Sequence, residues 1–407
     1  MISDFAADPV RDWAESGIVA LTGRADGPPL VPPGRAATVA REHARWVAAA
    51  TGGRVELDGA RLLSERAAFT GHRRAGAVSA GGACRLLPTA DGWAAVSCAR
   101  PDDPLLLGAL IGAEIEGDPW PAVTEWLAAH PGAELAERAE MLGIAAGPIA
   151  PVHSAPPVPT RPRDVAGLLV VDFGSLWAGP LCAHLLGLAG ARVVKVETPS
   201  RPDGARRGDP DFYRLLHAGH ESVVLDPSDD RQRRELAELV AAADIVIEAS
   251  RPRALAGFGL DAEKEVAAGA TWISITAHGR ASYRVGFGDD IAASAGLVAF
   301  DADGPVFVGD AIADPLTGLT AAALAMSTPC DGPGMLWDVS MSAVVAATLD
   351  DATDPAPQPV RENGHWVVHA PSGTVPVAEP QRREPSGQAP ESGRDTARVL
   401  TALGIRR

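Results

Sequence analysis

Between residues 165 and 276, short apolar runs alternate with longer segments whose apolar residues recur at helical spacing. Short apolar runs bounded by turn residues predict strands. The predicted strands are GLLVVDFG, ARVVKVE, ESVVLD, DIVIEAS and ATWISITA, and the predicted helices between them are GPLCAHLLGLAG, DDRQRRELAELVAAA and DAEKEVAAG. This alternation is typical of an α/β fold with a doubly wound, Rossmann-like parallel sheet. Ligands of such sheets bind at the carboxyl ends of the strands.

The first 146 residues follow a different pattern. Helical segments such as ATVAREHARWVAAA flank a short strand-and-turn region, CRLLPTADGWAAVSCARP, which predicts a smaller α+β domain over residues 1–146. Residues 147–164 are rich in proline and have no period, as is typical of a stiff linker. The sheet domain is then predicted over residues 165–350. The polar, proline-rich residues 351–407 predict an extended C-terminal arm, which suits an oligomer.

Composition narrows the class of protein. The formal net charge of -16 over 407 residues argues against a nucleic-acid surface, because such surfaces need clustered basic side chains. No apolar run is long enough for a membrane helix, and the N-terminus lacks the pattern of a signal peptide. The four cysteines are far apart, which disfavours a disulfide framework. We therefore expect a cytoplasmic protein.

Several kinds of site have no support in the sequence. The first predicted strand is not followed by G-x-G-x-x-G, so no nicotinamide or flavin is expected. No metal is expected either, because histidines and cysteines nowhere have the spacing of metal ligands. Arginines do cluster in the loops at the predicted carboxyl edge, where they suit a polyphosphate ligand or, alternatively, a solvated surface. They are Arg201, Arg206, Arg207, Arg251, Arg253, Arg280 and Arg284.

Two Asp-Gly-Pro turns stand far apart in the chain. Asp26 lies in LTGRADGPP and Asp303 lies in FDADGPVF. Asp, Gly and Pro are common turn formers, so both turns can be purely structural. A carboxylate in a glycine turn can also attack a thioester and form an acyl-aspartyl anhydride.

The segment LLVVDFGSLWAGPLCAHLLGLAGARVVKVETP resembles the opening of the class III CoA-transferases, the formyl-CoA and carnitine-CoA type. The resemblance continues in family order through SVVLD, DIVIEASRPRALAGFGLD, WISITAHG, GDAIADPLTGLTAAALA and WDVSMSAVVAA. It implies an enzyme that transfers CoA from an acyl-CoA to a carboxylic acid through an aspartyl anhydride and an aspartyl-CoA thioester. It also implies an interlocked homodimer.

The resemblance implies particular site residues. The family's catalytic Asp lies in a TG-x-x-DGPP loop, which Asp303 matches by chain order and Asp26 by motif. The first 146 residues resemble the family's smaller domain with a partial repeat of this loop, placed before the sheet domain. The implied CoA contacts are Trp177, Ala178, Leu225, Asp226, Ser250, Arg251, Thr276, Ala277 and His278.

Two other functions remain open. The related acyl-CoA racemases move an α-proton with an Asp and a His, and Asp289 or Asp290 would supply the Asp. Their histidine would be expected near GFGLDAEKE, which contains none. A non-catalytic CoA-binding protein is the third interpretation, since the loop DADGPV has lost part of the catalytic pattern.

Overall fold

Strands and helices alternate through the middle of the chain. Helices precede this region, and three short strands and a helix follow it. The computed structural model describes residues 8–249, 252–329, 332–349 and 357–405. Within them the strands are β1 (Cys84–Thr89), β2 (Gly92–Ser97), β3 (Ala146–Pro148), β4 (Leu169–Asp172), β5 (Arg192–Glu197), β6 (Glu221–Val224), β7 (Ile245–Glu248), β8 (Thr271–Thr276), β9 (Val298–Asp301), β10 (Gly304–Phe307), β11 (Met335–Ser340), β12 (Val360–Glu362), β13 (His365–Ala370) and β14 (Gly373–Pro376). The helices are α1 (Pro9–Glu15), α2 (Ile18–Leu21), α3 (Ala36–Ala50), α4 (Gly59–Leu62), α5 (Glu65–Thr70), α6 (Asp103–Ile111), α7 (Trp120–Ala129), α8 (Gly132–Leu142), α9 (Ala178–Leu188), α10 (Pro210–His217), α11 (Asp230–Ala241), α12 (Pro252–Ala256), α13 (Ala262–Ala268), α14 (Gly288–Ser294), α15 (Ala313–Ala325), α16 (Met341–Ala346) and α17 (Thr396–Ala402).

The central sheet is parallel and doubly wound. Its strands lie in the order β6-β5-β4-β7-β8-β11, so the chain moves outward from β4 to β6 and then returns to β7 on the other side of β4. The prediction of an α/β fold with a Rossmann-like parallel sheet is confirmed. The alternating pattern predicts five of the six strands. The sixth, β11, lies beyond α15 and outside the alternating region.

Helices cover both faces of this sheet because its strands are apolar on both sides. In β4, Val170 packs into a first core with α9 and α15. Its neighbours Leu169 and Val171 point the other way, into a second core with α11 and α17. Successive side chains of a strand face opposite sides, so a continuous apolar run is what a fully covered strand requires.

The N-terminal helices pack into the first core. Trp13 of α1, Ile18 of α2, Val47 of α3 and Leu62 of α4 belong to the same apolar cluster as α9 and α15. A separate small core contains β1–β3 and α6–α8, including Leu107. The domain boundaries remain predictions, but the packing of α1–α4 crosses the one at residue 146.

The C-terminal arm is partly regular. Its strands β12–β14 form a small antiparallel sheet, and α17 closes the second core beside β6. No helix in the described ranges is both long and apolar enough to span a membrane.

Replacing Trp13 by Ala tests whether the N-terminal helices unfold together with the sheet domain. The Trp13 side chain is 1% exposed, and its Nε1 donates to the Gly34 carbonyl at 2.8 Å. Loss of a buried Trp typically costs about 3–5 kcal/mol, so we expect a single urea transition to move to lower concentration. Leu105→Ala is the control, because Leu105 is 79% exposed. A shared core would be contradicted if unfolding in urea showed two transitions and W13A shifted only one of them.

Candidate active site

A cavity of about 500 Å³ opens at the carboxyl edge of the parallel sheet. It lies between the loops that follow β4 and β5, the start of α14, and the segment around α5, β1 and β2. Both the N-terminal and the sheet parts of the chain therefore build its wall. The lining residues are Arg66, Thr70, His72, Gly81, Ala83, Cys84, Ser97, Ala99, Arg100, Pro101, Leu176, Trp177, Gly204, Ala205, Arg207, Gly208, Asp209, Phe212, Phe287, Gly288, Asp289, Ala311 and Asp314.

Asp310 lies directly behind this wall and joins the two parts of the chain. Its side chain is 0% exposed. Arg66 donates to its carboxylate twice, from Nε at 2.9 Å and from Nη2 at 2.5 Å. The His72 Nδ1 lies 3.2 Å from Asp310 Oδ1. Burial acts to raise the pKa of Asp310, but the charge of Arg66 and these hydrogen bonds outweigh it and hold the pKa at about 2. Asp310 is therefore a buried carboxylate that is ionised at neutral pH.

Two other carboxyl groups on the cavity wall behave in the opposite way. Burial and the nearby charge of Asp310 raise the pKa of Asp289 to about 6. Burial raises the pKa of Asp314 to about 7, despite the charge of Arg66. Asp289 accepts a hydrogen bond from the Ala311 backbone N–H at 2.7 Å, and Asp314 accepts one from the N–H of Ala178. One guanidinium thus stands among three carboxyl groups, of which only Asp310 is strongly acidic.

The backbone turns into the left-handed region on both sides of Asp310, and it is strained at Ala311. Gly309 has φ +71°, and Ala311 has φ +48°, a conformation that residues with a Cβ rarely adopt. Leu176 across the cavity has φ +65°. Strained backbone persists where its surroundings enforce it, and such residues concentrate at functional sites. Here Asp289 fixes the Ala311 N–H.

The Leu176 loop is held from below by a buried group of charges. Asp203 Oδ1 accepts the Leu176 N–H at 3.0 Å. Lys195, which is 1% exposed, lies 3.0 Å from Asp203 Oδ2 and donates to the Gly174 carbonyl at 2.5 Å. The loops after β4 and β5 are therefore joined beneath the cavity.

The two Asp-Gly-Pro turns lie away from the cavity lining and contact each other. Asp303 sits in the turn between β9 and β10 with its side chain 79% exposed. Asp26 is exposed in a turn closed by the Gly27 N–H and the Arg24 carbonyl. Arg24 joins the turns, since it donates to Asp301 at 2.7 and 2.9 Å and lies 3.6 Å from Asp303. The roles predicted for Asp26 and Asp303 stay predictions.

The CoA contacts implied by resemblance are distributed along the carboxyl edge. Trp177 lines the cavity, and Ala178 begins α9 beside it. Leu225 follows β6 and is buried in the second core, while Asp226 accepts hydrogen bonds from Ser228.

The remaining implied contacts lie at the end of β8 or outside the described residues. Thr276 accepts a hydrogen bond from the Gly279 N–H, and Ala277 accepts one from Ser342. Burial lowers the pKa of His278 to about 4. Ser250 and Arg251 lie outside the described residues.

Two of the clustered arginines are paired with acidic neighbours. Arg206 pairs with Glu197 at 2.5 Å, and Arg280 pairs with Glu263 at 3.0 Å and with Glu248 at 3.4 Å. Arg207 lines the cavity without an ion pair to the described residues. Acidic neighbours from the same sheet edge therefore neutralise part of the positive charge that a polyphosphate would use.

Sequence reasoning missed Arg66, His72 and Asp310. The Arg66 and Asp310 positions are 244 residues apart, and no local spacing connects them. The signal that was present is the Gly-Asp pair of VGDAIAD, in which Asp310 comes between two apolar runs rather than in a polar turn.

Comparison with known proteins identifies the family. The family model described as CoA-transferase family III matches residues 165–378, just over half of the chain. The chain belongs to CoA-transferase family III. The matched region contains the parallel sheet, Trp177 and all three carboxyl groups around Arg66.

Individual relatives of this family III chain match in shorter segments. Mouse succinyl-CoA:glutarate CoA-transferase is 31% identical over 175 residues, which cover 39% of this chain and 40% of that protein. Succinate–glutarate CoA-transferase of Agrobacterium fabrum is 28% identical over 217 residues, 47% of this chain and 54% of that protein. The chain thus spans about half or less of these relatives. The crystal structure of a CAIB/BAIF family protein from Brucella suis aligns with TM-score 0.45 and 24% identity, covering 51% of this chain and 66% of that one.

Asp314→Asn is expected to stabilise the protein more at pH 8 than at pH 4.5. The carboxyl of Asp314 takes up its proton near pH 7 when folded and near pH 3.8 when unfolded. Between these values the folded state holds a proton that the unfolded state lacks, so stability falls as pH rises through this window. Asn does not titrate and avoids the loss.

The measurement is the free energy of unfolding of wild type and variant at both pH values. The gain of D314N at pH 8 should exceed its gain at pH 4.5 by about 1 kcal/mol or more. Asp102→Asn, at an exposed position, provides the control. An equal effect at both pH values would mean that Asp314 is ionised in the folded state across this range.

Proposed function

We propose that this family III chain transfers CoA from an acyl-CoA donor to a carboxylic acid, with Asp310 as the nucleophile. The observation that carries this proposal is the state of Asp310. It is an ionised carboxylate, buried beside a cavity at the carboxyl edge of the sheet and followed by the strained residue Ala311. The names of the relatives, which describe CoA transfer between succinyl-CoA or succinate and glutarate, support this class of reaction.

The proposed chemistry uses a single carboxylate twice. An oxygen of Asp310 attacks the thioester carbonyl, the carbon–sulfur bond breaks, and the CoA thiolate leaves behind an acyl-aspartyl anhydride. The thiolate then attacks the Asp310 carbonyl carbon, which releases the donor acid as a carboxylate and forms an aspartyl-CoA thioester. An acceptor carboxylate reverses these steps and leaves as the new acyl-CoA.

This mechanism requires Asp310 to become accessible to the thioester. The Asp310 carboxylate is fully buried in the free protein, so it must separate from Arg66 to reach a thioester in the cavity. We propose that CoA lies along the carboxyl edge and reaches the cavity past Trp177. The interlocked homodimer and the cytoplasmic location expected from the sequence belong to the same proposal.

Three Asn variants identify the nucleophile. With acyl-CoA alone, the wild type should accumulate a covalent CoA adduct that mass spectrometry of peptides locates at residue 310. Asp310→Asn should lose the adduct, and its turnover should fall on the order of 10³-fold or more. Asp303→Asn and Asp26→Asn are the matched comparisons, since each removes one candidate carboxylate.

Each outcome decides between the candidates. An adduct at residue 303 or 26 would restore the prediction from the loop motif. Substrate binding without any adduct and without CoA transfer would favour the non-catalytic or proton-transfer interpretation. Full transfer activity in all three variants would exclude Asp310, Asp303 and Asp26 as the nucleophile.

Proton transfer is a second candidate function, which one observation favours. The sequence lacks the expected histidine in residues 257–265, but His72 and Asp289 both line the cavity. A histidine and a carboxyl with a pKa of about 6 can exchange an α-proton. Asp290 is placed less well, because its Oδ1 accepts hydrogen bonds from Ser97 and the Phe287 N–H. Deuterium incorporation into the acyl-CoA from D₂O, lost in Asp289→Asn but retained in Asp310→Asn, would select this function.

A further inference from the structure

Arg66 offers a planar cation to the cavity. Two of its nitrogens, Nε and Nη2, bind Asp310. Its third nitrogen, Nη1, makes no hydrogen bond to the described residues. The guanidinium carbon lies 5.2 Å from the centroid of the Trp177 ring, and the side chain is 26% exposed. The guanidinium is thus fixed between the buried nucleophile and the space that substrate would occupy.

The charge on Asp310 disappears during the proposed reaction. An anhydride or a thioester at Asp310 is neutral, and the negative charge moves to the CoA thiolate or to the free acid. Arg66 cannot release its proton under these conditions. A guanidinium that loses its partner in a partly buried site is costly unless another anion takes that place.

We propose that Arg66 is the binding site for the carboxylate of the free acid, both the acid that leaves and the acid that enters. This inference rests on the proposed function. In the free enzyme the guanidinium holds Asp310, and in the aspartyl-CoA intermediate it holds the acceptor carboxylate against the acylated Asp310. A guanidinium binds a carboxylate through two parallel hydrogen bonds, so the same fork fits either anion.

The other arginines of the wall are less suited to this role. Arg100 is committed to Asp103, which accepts from it at 2.6 and 2.8 Å, and to the Gly143 carbonyl at 2.9 Å. Arg207 has no ion pair among the described residues but follows β5, whereas Arg66 is in contact with Asp310, the proposed nucleophile. Of these three arginines, Arg66 alone gains and loses a partner when Asp310 changes charge.

The test measures the two half-reactions separately in the full chain. The first half-reaction uses acyl-CoA without acceptor and follows the covalent adduct by mass spectrometry. The second adds acetate, succinate or glutarate to the adduct and follows the new acyl-CoA against acceptor concentration. The variants are Arg66→Lys, which keeps the charge without the fork, and Arg66→Gln, which removes the charge.

Both variants should raise the acceptor KM at least tenfold, and Arg66→Gln more than Arg66→Lys, while the KM for the acyl-CoA changes less than threefold. Arg66→Gln also removes the charge that keeps Asp310 ionised, so its first half-reaction should slow as well. Added guanidinium ion should partly restore both half-reactions of this variant. Arg24→Gln is the matched control, because it breaks a similar two-bond pair with Asp301 outside the cavity lining, and its acceptor KM should be unchanged.

The inference fails if Arg66→Lys keeps the wild-type acceptor KM, or if Arg207→Gln raises that KM while Arg66→Lys does not. It also fails, together with the proposed function, if Asp310→Asn still forms the adduct. An absent adduct in D310N with an unchanged acceptor KM in R66K would overturn the role of Arg66 alone. If Arg66→Gln does not fold, Arg66→Lys decides the question.

Discussion

The pair between Arg66 and Asp310 is the interaction on which the site depends. A carboxylate with no exposed surface stays ionised only when a cation and hydrogen bonds replace its water. That cation comes from α5, whose position is fixed from two directions. Leu62 and Leu63 before it are buried in the first core, and Glu65 at its start binds Arg383 of the C-terminal arm at 2.8 Å. Three distant parts of the chain therefore meet at α5.

The three carboxyl groups of the site differ in pKa because a single guanidinium can pair with only one of them. Arg66 bonds directly to Asp310, and its field acts more weakly on Asp289 and Asp314. Like charges in a desolvated space cannot all persist, so the unpaired groups hold their protons at higher pH. Asp289 and Asp314 each accept a backbone hydrogen bond that stabilises the local structure. Asp289 accepts from the strained Ala311, and Asp314 accepts from Ala178 at the start of α9. The two acids that shape the wall thus differ in charge state from Asp310, the acid proposed for attack.

Much of the fold could be predicted from the sequence, because its determinants are local. The strands β4 to β8 are apolar on both faces and are separated by helical segments, which is what a covered parallel sheet requires. The packing of α1–α4 could not be predicted in this way. Their apolar residues, such as Trp13 and Val47, indicate that a face is buried but not which element buries it. A contact with α9 or α15 joins residues more than a hundred positions apart, and a strand or helix period holds no information about it.

The candidate site was harder to predict than the fold. The Asp-Gly-Pro motif indicates an exposed turn, whereas the carboxylate proposed for attack is buried. An Asp-Gly-Pro sequence favours a tight turn, and a tight turn places its carboxylate in water, as at Asp26 and Asp303. Water stabilises the carboxylate but also weakens every hydrogen bond and charge that could stabilise a transition state. Asp310 has the reverse arrangement: its segment is apolar, so folding removes the water, and Arg66 restores the charge balance from 244 positions away. The turn motif indicates local geometry, whereas the environment proposed here for the nucleophile depends on desolvation and on a partner that only the tertiary structure supplies.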